Sequence, residues 1–356
     1  MINIVKQRKI YFMISGAFVL ASLIFIFTFG LKLGIDFTGG SLMEISVGQG
    51  IEANTAKIKD ILTGGDAPLL ESVQIQPTGE SGFVLRFKDI SQDEHEGLLE
   101  ALYLALAPEG AAPDASEKLD NPFGQIQGIN DKGETVNLDV FPVDDQGNKI
   151  EEEKPAINID KNVLAEERFE SIGPIIGEEL QQKAVESIIA VLIAIILYMA
   201  WAFRKVSEPV SSWKYGITAV IALAHDVIIP TGVFAVLGRF MGVEVDILFV
   251  TALLTILGFS VNDTIVVFDR TRENLARERY KHDFDYIVNK SVNETIRRSV
   301  NTSLTAFVVL LAIFLYGGET VKYFVLALMI GIVFGTYSSI FLASPLLVEW
   351  EKRRKQ

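Results

Sequence analysis

Residues 246–270 read DILFVTALLTILGFSVNDTIVVFDR, and the stretch 247–268 is uncharged except for Asp263. Those 22 residues would make a helix about 33 Å long at about 1.5 Å per residue, enough to cross a hydrocarbon core of about 30 Å. Asp263 is therefore a carboxylate at membrane depth. Such a group costs about 2.5–3.5 kcal/mol at the centre of a span and by default marks an ion or proton path. The structural alternative is an end-of-helix residue, because Asp263 lies only five residues before Phe268 and can reach the headgroups.

Outward from this helix, further runs long enough to span occur at 10–31, 183–203, 213–238, 299–317 and 322–348. With 246–268 they predict six transmembrane helices, five of them in a membrane region over 183–348. An even number puts both termini on one side. The first run exceeds the apolar core of a signal peptide, and Leu31-Lys32-Leu33-Gly34 offers no small-residue cleavage site, so this run is expected to stay as an anchor. Lys6, Arg8 and Lys9 precede it, Arg204, Lys205 and Lys214 flank the second connection, Lys and Arg crowd 270–298, and Lys352, Arg353, Arg354 and Lys355 close the chain. The short connections 239–245 and 318–321 carry one basic residue, Arg239. The positive-inside bias then predicts cytoplasmic tails at 1–9 and 349–356 and an extracytoplasmic segment at 32–182.

Charge is segregated in the same way. The chain has 49% hydrophobic residues yet 45 Asp and Glu against 32 Lys and Arg, and residues 32–182 alone hold 30 of the acidic and 11 of the basic ones. An acidic, water-exposed domain is thus inserted into a mildly basic membrane protein, and such a domain does not clamp nucleic acid. Without cysteine, disulfides, thiolate metal sites and thiol catalysis are excluded. His95, His225 and His282 form no metal-ligand spacing, no metal or organic cofactor is expected, and no GxxxxGK[ST] loop offers a site for ATP.

Within the inserted domain Met43, Ile45 and Val47 alternate with polar neighbours, as do Val73 with Ile75 and Phe83 with Leu85 and Phe87, which predicts three half-buried strands. Asn54 can cap a helix to about Leu62 and Ser91 a second to about Leu106. With a last strand near 169–172 the order is βαββαβ, the ferredoxin-like arrangement of two helices on one antiparallel sheet. An acidic insert at 107–161 interrupts it; only 135–143, followed by the turn-forming 144–148, reads as a local hairpin, and the remainder is expected to be solvated and mobile. The fold class is accordingly a six-helix α-helical membrane protein with an inserted α+β ferredoxin-like domain.

Several side chains in the spans can carry chemistry. His225 and Asp226 lie in ALAHD (222–226), one turn before Pro230; Asp226 is either a second station on a charge path or a hydrogen-bond partner of a neighbouring helix. Thr251, Thr255, Gly258 and Asn262 recur at helical spacing beside Asp263, a small polar stripe that permits close helix packing and so favours an Asp263 facing protein. Gly331, Gly335 and Ser339 form a second small-residue face, expected to pack. Arg297 reads as an interfacial anchor.

FSVNDTIVVFDRTREN (259–274), ALAHD (222–226), GIDFTGG (34–40) and SIGPIIGEEL (171–180) resemble the signature segments of the SecF family, membrane subunits that work with SecD in bacterial protein export. The resemblance runs from the first helix to the fourth, with Gly34, Asp36, Gly39 and Gly40 in its glycine-rich segment. It implies one half of an RND-type transporter in the bacterial cytoplasmic (inner) membrane, not an enzyme, with the proton as coupling ion. Its implied partners are SecD, the SecYEG channel, YajC and exported unfolded polypeptides. The family's proton-path aspartate falls on Asp263, and its membrane arginine, in a Thr-x-x-Arg pattern, falls on Arg298; Asp226 assists. Two rivals are half of an RND-type lipid or small-molecule exporter, and an intramembrane aspartyl protease pairing Asp226 with Asp263. The protease's GxGD motif is absent, since Phe259-Ser260-Val261-Asn262 precede Asp263.

Overall fold

A computed structural model describes residues 2–48, 50–64, 68–79, 81–108, 125–129, 135–139, 159–202, 212–278 and 281–355. The chain divides into two compact units, one of residues up to Thr38 together with Pro174 onward, the other Gly39–Gly173. After a short 3-10 turn, α1 (Arg8–Phe29) is the first apolar span, and a single-turn helix α2 (Ile35–Thr38) follows it.

The second unit is the inserted domain. Its elements run β1 (Gly40–Val47), α3 (Thr55–Thr63), β2 (Gln74–Thr78), β3 (Gly82–Phe87), α4 (Gln92–Leu106), β4 (Gln125–Ile129), β5 (Thr135–Asp139) and β6 (Leu164–Ile172). The antiparallel order β2-β3-β1-β6, with α3 and α4 as its two helices, is ferredoxin-like. The period-2 pattern fixes which face is inside: Met43, Ile45 and Val47 on β1 and Phe83, Leu85 and Phe87 on β3 are buried. Ile58 and Leu62 on α3, and Leu98, Leu102 and Leu106 on α4, close over that face at helical spacing. Burial of each such side chain contributes about 1.5–3 kcal/mol. The helix starts follow their caps: the Asn54 side chain accepts from Lys57 N at 2.8 Å, and Ser91 with Glu94 forms a reciprocal capping box on α4.

Two expectations need correction here. β6 begins at Leu164, five residues before the predicted strand, because Glu166, Glu167 and Arg168 hide its alternation. The hairpin uses 135–139 as its second strand, pairing back onto Gln125–Ile129 with Ile126 opposite Leu138. The partner strand thus precedes 135–139 in sequence, and the 144–148 segment lies outside the described residues. Residues 109–124, 130–134 and 140–158 of the insert, like the connection at 203–211, lie outside the described residues.

The first unit continues with α5 (Pro174–Ala202), α6 (Ser212–Met241), α7 (Ile247–Glu278), α8 (Phe284–Tyr316), α9 (Glu319–Ser338), a π-helical turn (Ser339–Ala343) and α10 (Ser344–Lys355). With α1, these give six helices long and apolar enough to cross a membrane, the last formed by α9 running through the π turn into α10. Small residues set the closest approaches: a Cβ on Gly232 of α6 would lie 2.4 Å from Ser22 Cβ of α1, and one on Gly331 of α9 would lie 2.2 Å from Ile256 Cδ1 of α7. The face of α9 expected to pack does pack, and it packs on α7.

Candidate functional site

The site grows from the contact of α6, α7 and α9. Asp226 on α6 is fully buried, and a carboxylate there must be satisfied by protein donors. Its Oδ1 lies 2.8 Å from His225 Nδ1, and its Oδ2 accepts from Ser260 Oγ of α7 at 2.5 Å and from Ser338 Oγ of α9 at 2.7 Å. Next to this knot, Ser339 Oγ lies 2.8 Å from Thr264 Oγ1 of α7. Ser339 also opens the π turn, a backbone irregularity that recurs at functional positions in helices.

Asp263 stands one turn farther along α7 and is handled differently. It is 9% exposed, and its Oδ1 accepts from Ser299 Oγ of α8 while its Oδ2 is buried without a hydrogen-bond partner among the described residues. Arg298, the residue before Ser299 on α8, is exposed. Among the described residues, Asp226 and Asp263 share no hydrogen-bond partner; the sealed carboxylate has three polar partners and the other has one.

The stripe beside Asp263 departs from expectation. Thr251, Thr255, Gly258 and Asn262 are exposed, and a Cβ on Gly258 would meet nothing within 4 Å. Among the described residues, no helix covers that face. Its hydroxyls turn inward instead, Thr251 Oγ1 donating to Ile247 O at 2.9 Å and Thr255 Oγ1 to Thr251 O at 2.8 Å, which lets the face lie open at little polar cost. An apolar groove of about 530 Å³ borders it between α7, α8 and α9, lined by Thr255, Phe259, Thr302, Val309 and Leu328 among others.

The glycine-rich segment meets the other end of α7. Val245 N donates to Lys32 O at 2.8 Å and Gly34 N to Val245 O at 2.9 Å, making a parallel bridge between Leu33 and Val245. Asp36 Oδ2 accepts from the first backbone N–H of α7, Ile247 N, at 2.8 Å, while Asp246 caps the same helix locally through Phe249 N at 2.8 Å. Gly39 and Gly40 have φ of 70° and 116°, backbone that L side chains rarely adopt.

Residues 153–353 match the model of the protein export membrane protein SecD/SecF C-terminal family, and residues 24–51 match the SecD/SecF GG motif. The chain belongs to the SecD/SecF family. A protein translocase subunit SecF of Thermobaculum terrenum is 39% identical over 99% of this chain and 95% of its own length, and one of Anaerolinea thermophila is 34% identical over 99% and 94%. A solved SecDF of Thermus thermophilus, described as translocon-associated, superposes with a TM-score of 0.68 at 28% identity. It covers 99% of this chain, which spans 39% of that longer one. Membership gives a translocase-type membrane subunit. What sequence reasoning missed in this SecD/SecF chain are the three hydroxyl partners, Ser260, Ser299 and Ser338, and the role of Asp36 at α7. Serine carries no signal of its own in an apolar span, and Asp36 is 211 residues from its partner.

Proposed function

We propose that this SecD/SecF-family chain works with SecD as a proton-driven subunit that helps draw polypeptide through the SecYEG channel, with YajC as a further partner. It sits in the bacterial inner membrane with both termini cytoplasmic and the inserted domain outside, as the Lys and Arg distribution of the connections favours. The observation that carries the reading is Asp263: a membrane carboxylate buried with one oxygen held by Ser299 and the other, among the described residues, without a partner, on a helix whose adjoining polar face those residues leave uncovered. The free oxygen is where a proton binds and leaves, Arg298 balances the charge, and Asp226 supports from a sealed position. A SecD membrane half covers the open stripe. One charge crossing 100 mV yields about 2.3 kcal/mol, enough to shift a two-state equilibrium about fiftyfold.

The chain is not an enzyme in this reading, and the proton is its only coupling species. A small-molecule exporter half would need a ligand cavity in the inserted domain, whereas the interior there is filled by Met43, Ile45, Leu85 and Leu102. Asp263→Asn keeps the shape and removes the titratable group. In cells depleted of the native protein, this variant is expected to copurify with SecD at normal levels and to fail in proton-dependent export of a secreted reporter. Wild-type export by Asp263→Asn would sink the reading.

A further inference from the structure

Segment 32–38 is grafted onto the start of α7 by three independent attachments. The Leu33–Val245 bridge holds its backbone, Asp36 takes the first N–H of α7, and Phe37 is buried in an apolar cluster that joins Phe249, Val250 and Leu253 of α7 to Ala184 of α5. A tether that only connected a span to a domain would need none of these. The next two residues are Gly39 and Gly40 in left-handed backbone, and the boundary between the compact units falls between Thr38 and Gly39, with β1 starting at Gly40. Asp263 lies sixteen residues along the same unbroken helix, about 24 Å from its start, and a continuous α-helix carries an axial displacement over that length.

From this arrangement we infer that segment 32–38 is the coupling strut between the proton site and the inserted domain. It moves with the N-terminal end of α7 as one body, Asp36 is the positioning residue that clamps it there, and the Gly39–Gly40 pair is the articulation through which the movement enters β1. The inference rests on the proton-driven reading of Asp263 and adds the route by which that site acts.

The test uses the full chain with its SecD partner in native membranes. Asp36→Ala removes the acceptor, and Asp36→Asn keeps an oxygen that can still accept from Ile247 N while removing the charge. A fluorophore at Glu71→Cys, unique because the chain lacks cysteine, reports on the inserted domain, and the infrared carboxyl signal lost in Asp263→Asn reports on the proton site. Asp36→Ala is expected to lower export about fivefold, the worth of one helix cap, and to abolish the response of the Glu71→Cys probe to a proton gradient. The Asp263 signal persists in that variant, and Asp36→Asn restores both export and probe response. A Leu33→Cys, Val245→Cys disulfide is expected to leave export unchanged, since the joined parts move together. Wild-type export by Asp36→Ala, failure of Asp36→Asn to restore it, or arrest of export by the disulfide overturns the strut. An Asp263→Asn variant that exports normally would overturn the underlying proton reading instead, whatever Asp36 does.

Discussion

Asp226 and Asp263 show how environment gives one residue type two tasks. Asp226 is a fastener: its two oxygens gather donors from three helices, and the charge-assisted bonds are each worth about 1.5–3 kcal/mol. Replacement by Asn is tolerable on hydrogen-bond grounds. The amide oxygen can keep the two serine hydroxyls, while the amide N–H₂ donates to His225 Nδ1 if the ring proton moves to Nε2, an atom without a partner among the described residues. Asp226→Asn is therefore expected to retain most export and stability, whereas Asp226→Ala orphans buried donors at about 1–3 kcal/mol each and lowers the unfolding midpoint in detergent. Equal loss in both variants would place Asp226 on the proton path proper. At Asp263 the position of the carboxylate was legible from hydropathy alone, but the number of its partners was not, because Ser299 is brought to it by the packing of α8.

Helices and strands divide by how local their causes are. The ferredoxin-like order and the caps at Asn54 and Ser91 were readable because alternation and capping act over a few residues. The stripe on α7 is exposed among the described residues, because small-residue spacing marks a face able to pack without saying which chain supplies the other side. Two glycines test that distinction. Gly232→Ala forces a Cβ into the backbone of Ser22 and is expected to destabilise the α1/α6 contact by about 1–3 kcal/mol, seen as a lower melting midpoint. Gly258→Ala meets nothing, so the isolated chain keeps its midpoint while recovery of SecD on copurification falls. In the inserted domain, Glu94 accepts from Ser91 backbone N–H and hydroxyl, which hold its carboxyl below the ordinary 4.5. A lowered folded-state value means its stabilising effect is whole above pH 4.5 and is lost as pH falls through the lowered one. Amide exchange at the start of α4 should accelerate on acidification through that window; Ser91→Ala, which loses the hydroxyl but keeps the backbone N–H, should weaken the pH dependence, and Glu94→Gln should remove it.

At the scale of the whole molecule, the direction in which the proton site can do work depends on the side of the membrane on which the inserted domain lies. If the domain were cytoplasmic, a proton moving down its gradient would drive work on the wrong face of the membrane for pulling an exported chain. Lys and Arg in the connections favour the outside placement, and a single-cysteine experiment decides it cleanly in a chain that has no cysteine of its own. Glu71 and Arg277 are both exposed, the first in the inserted domain and the second on the far extension of α7 beyond Asp263. In intact cells stripped of their outer barrier, an impermeant thiol reagent is expected to label Glu71→Cys at once and Arg277→Cys only after the membrane is opened. Labelling of Arg277→Cys alone would invert the topology, and with it the direction of pull that the proton site was proposed to power.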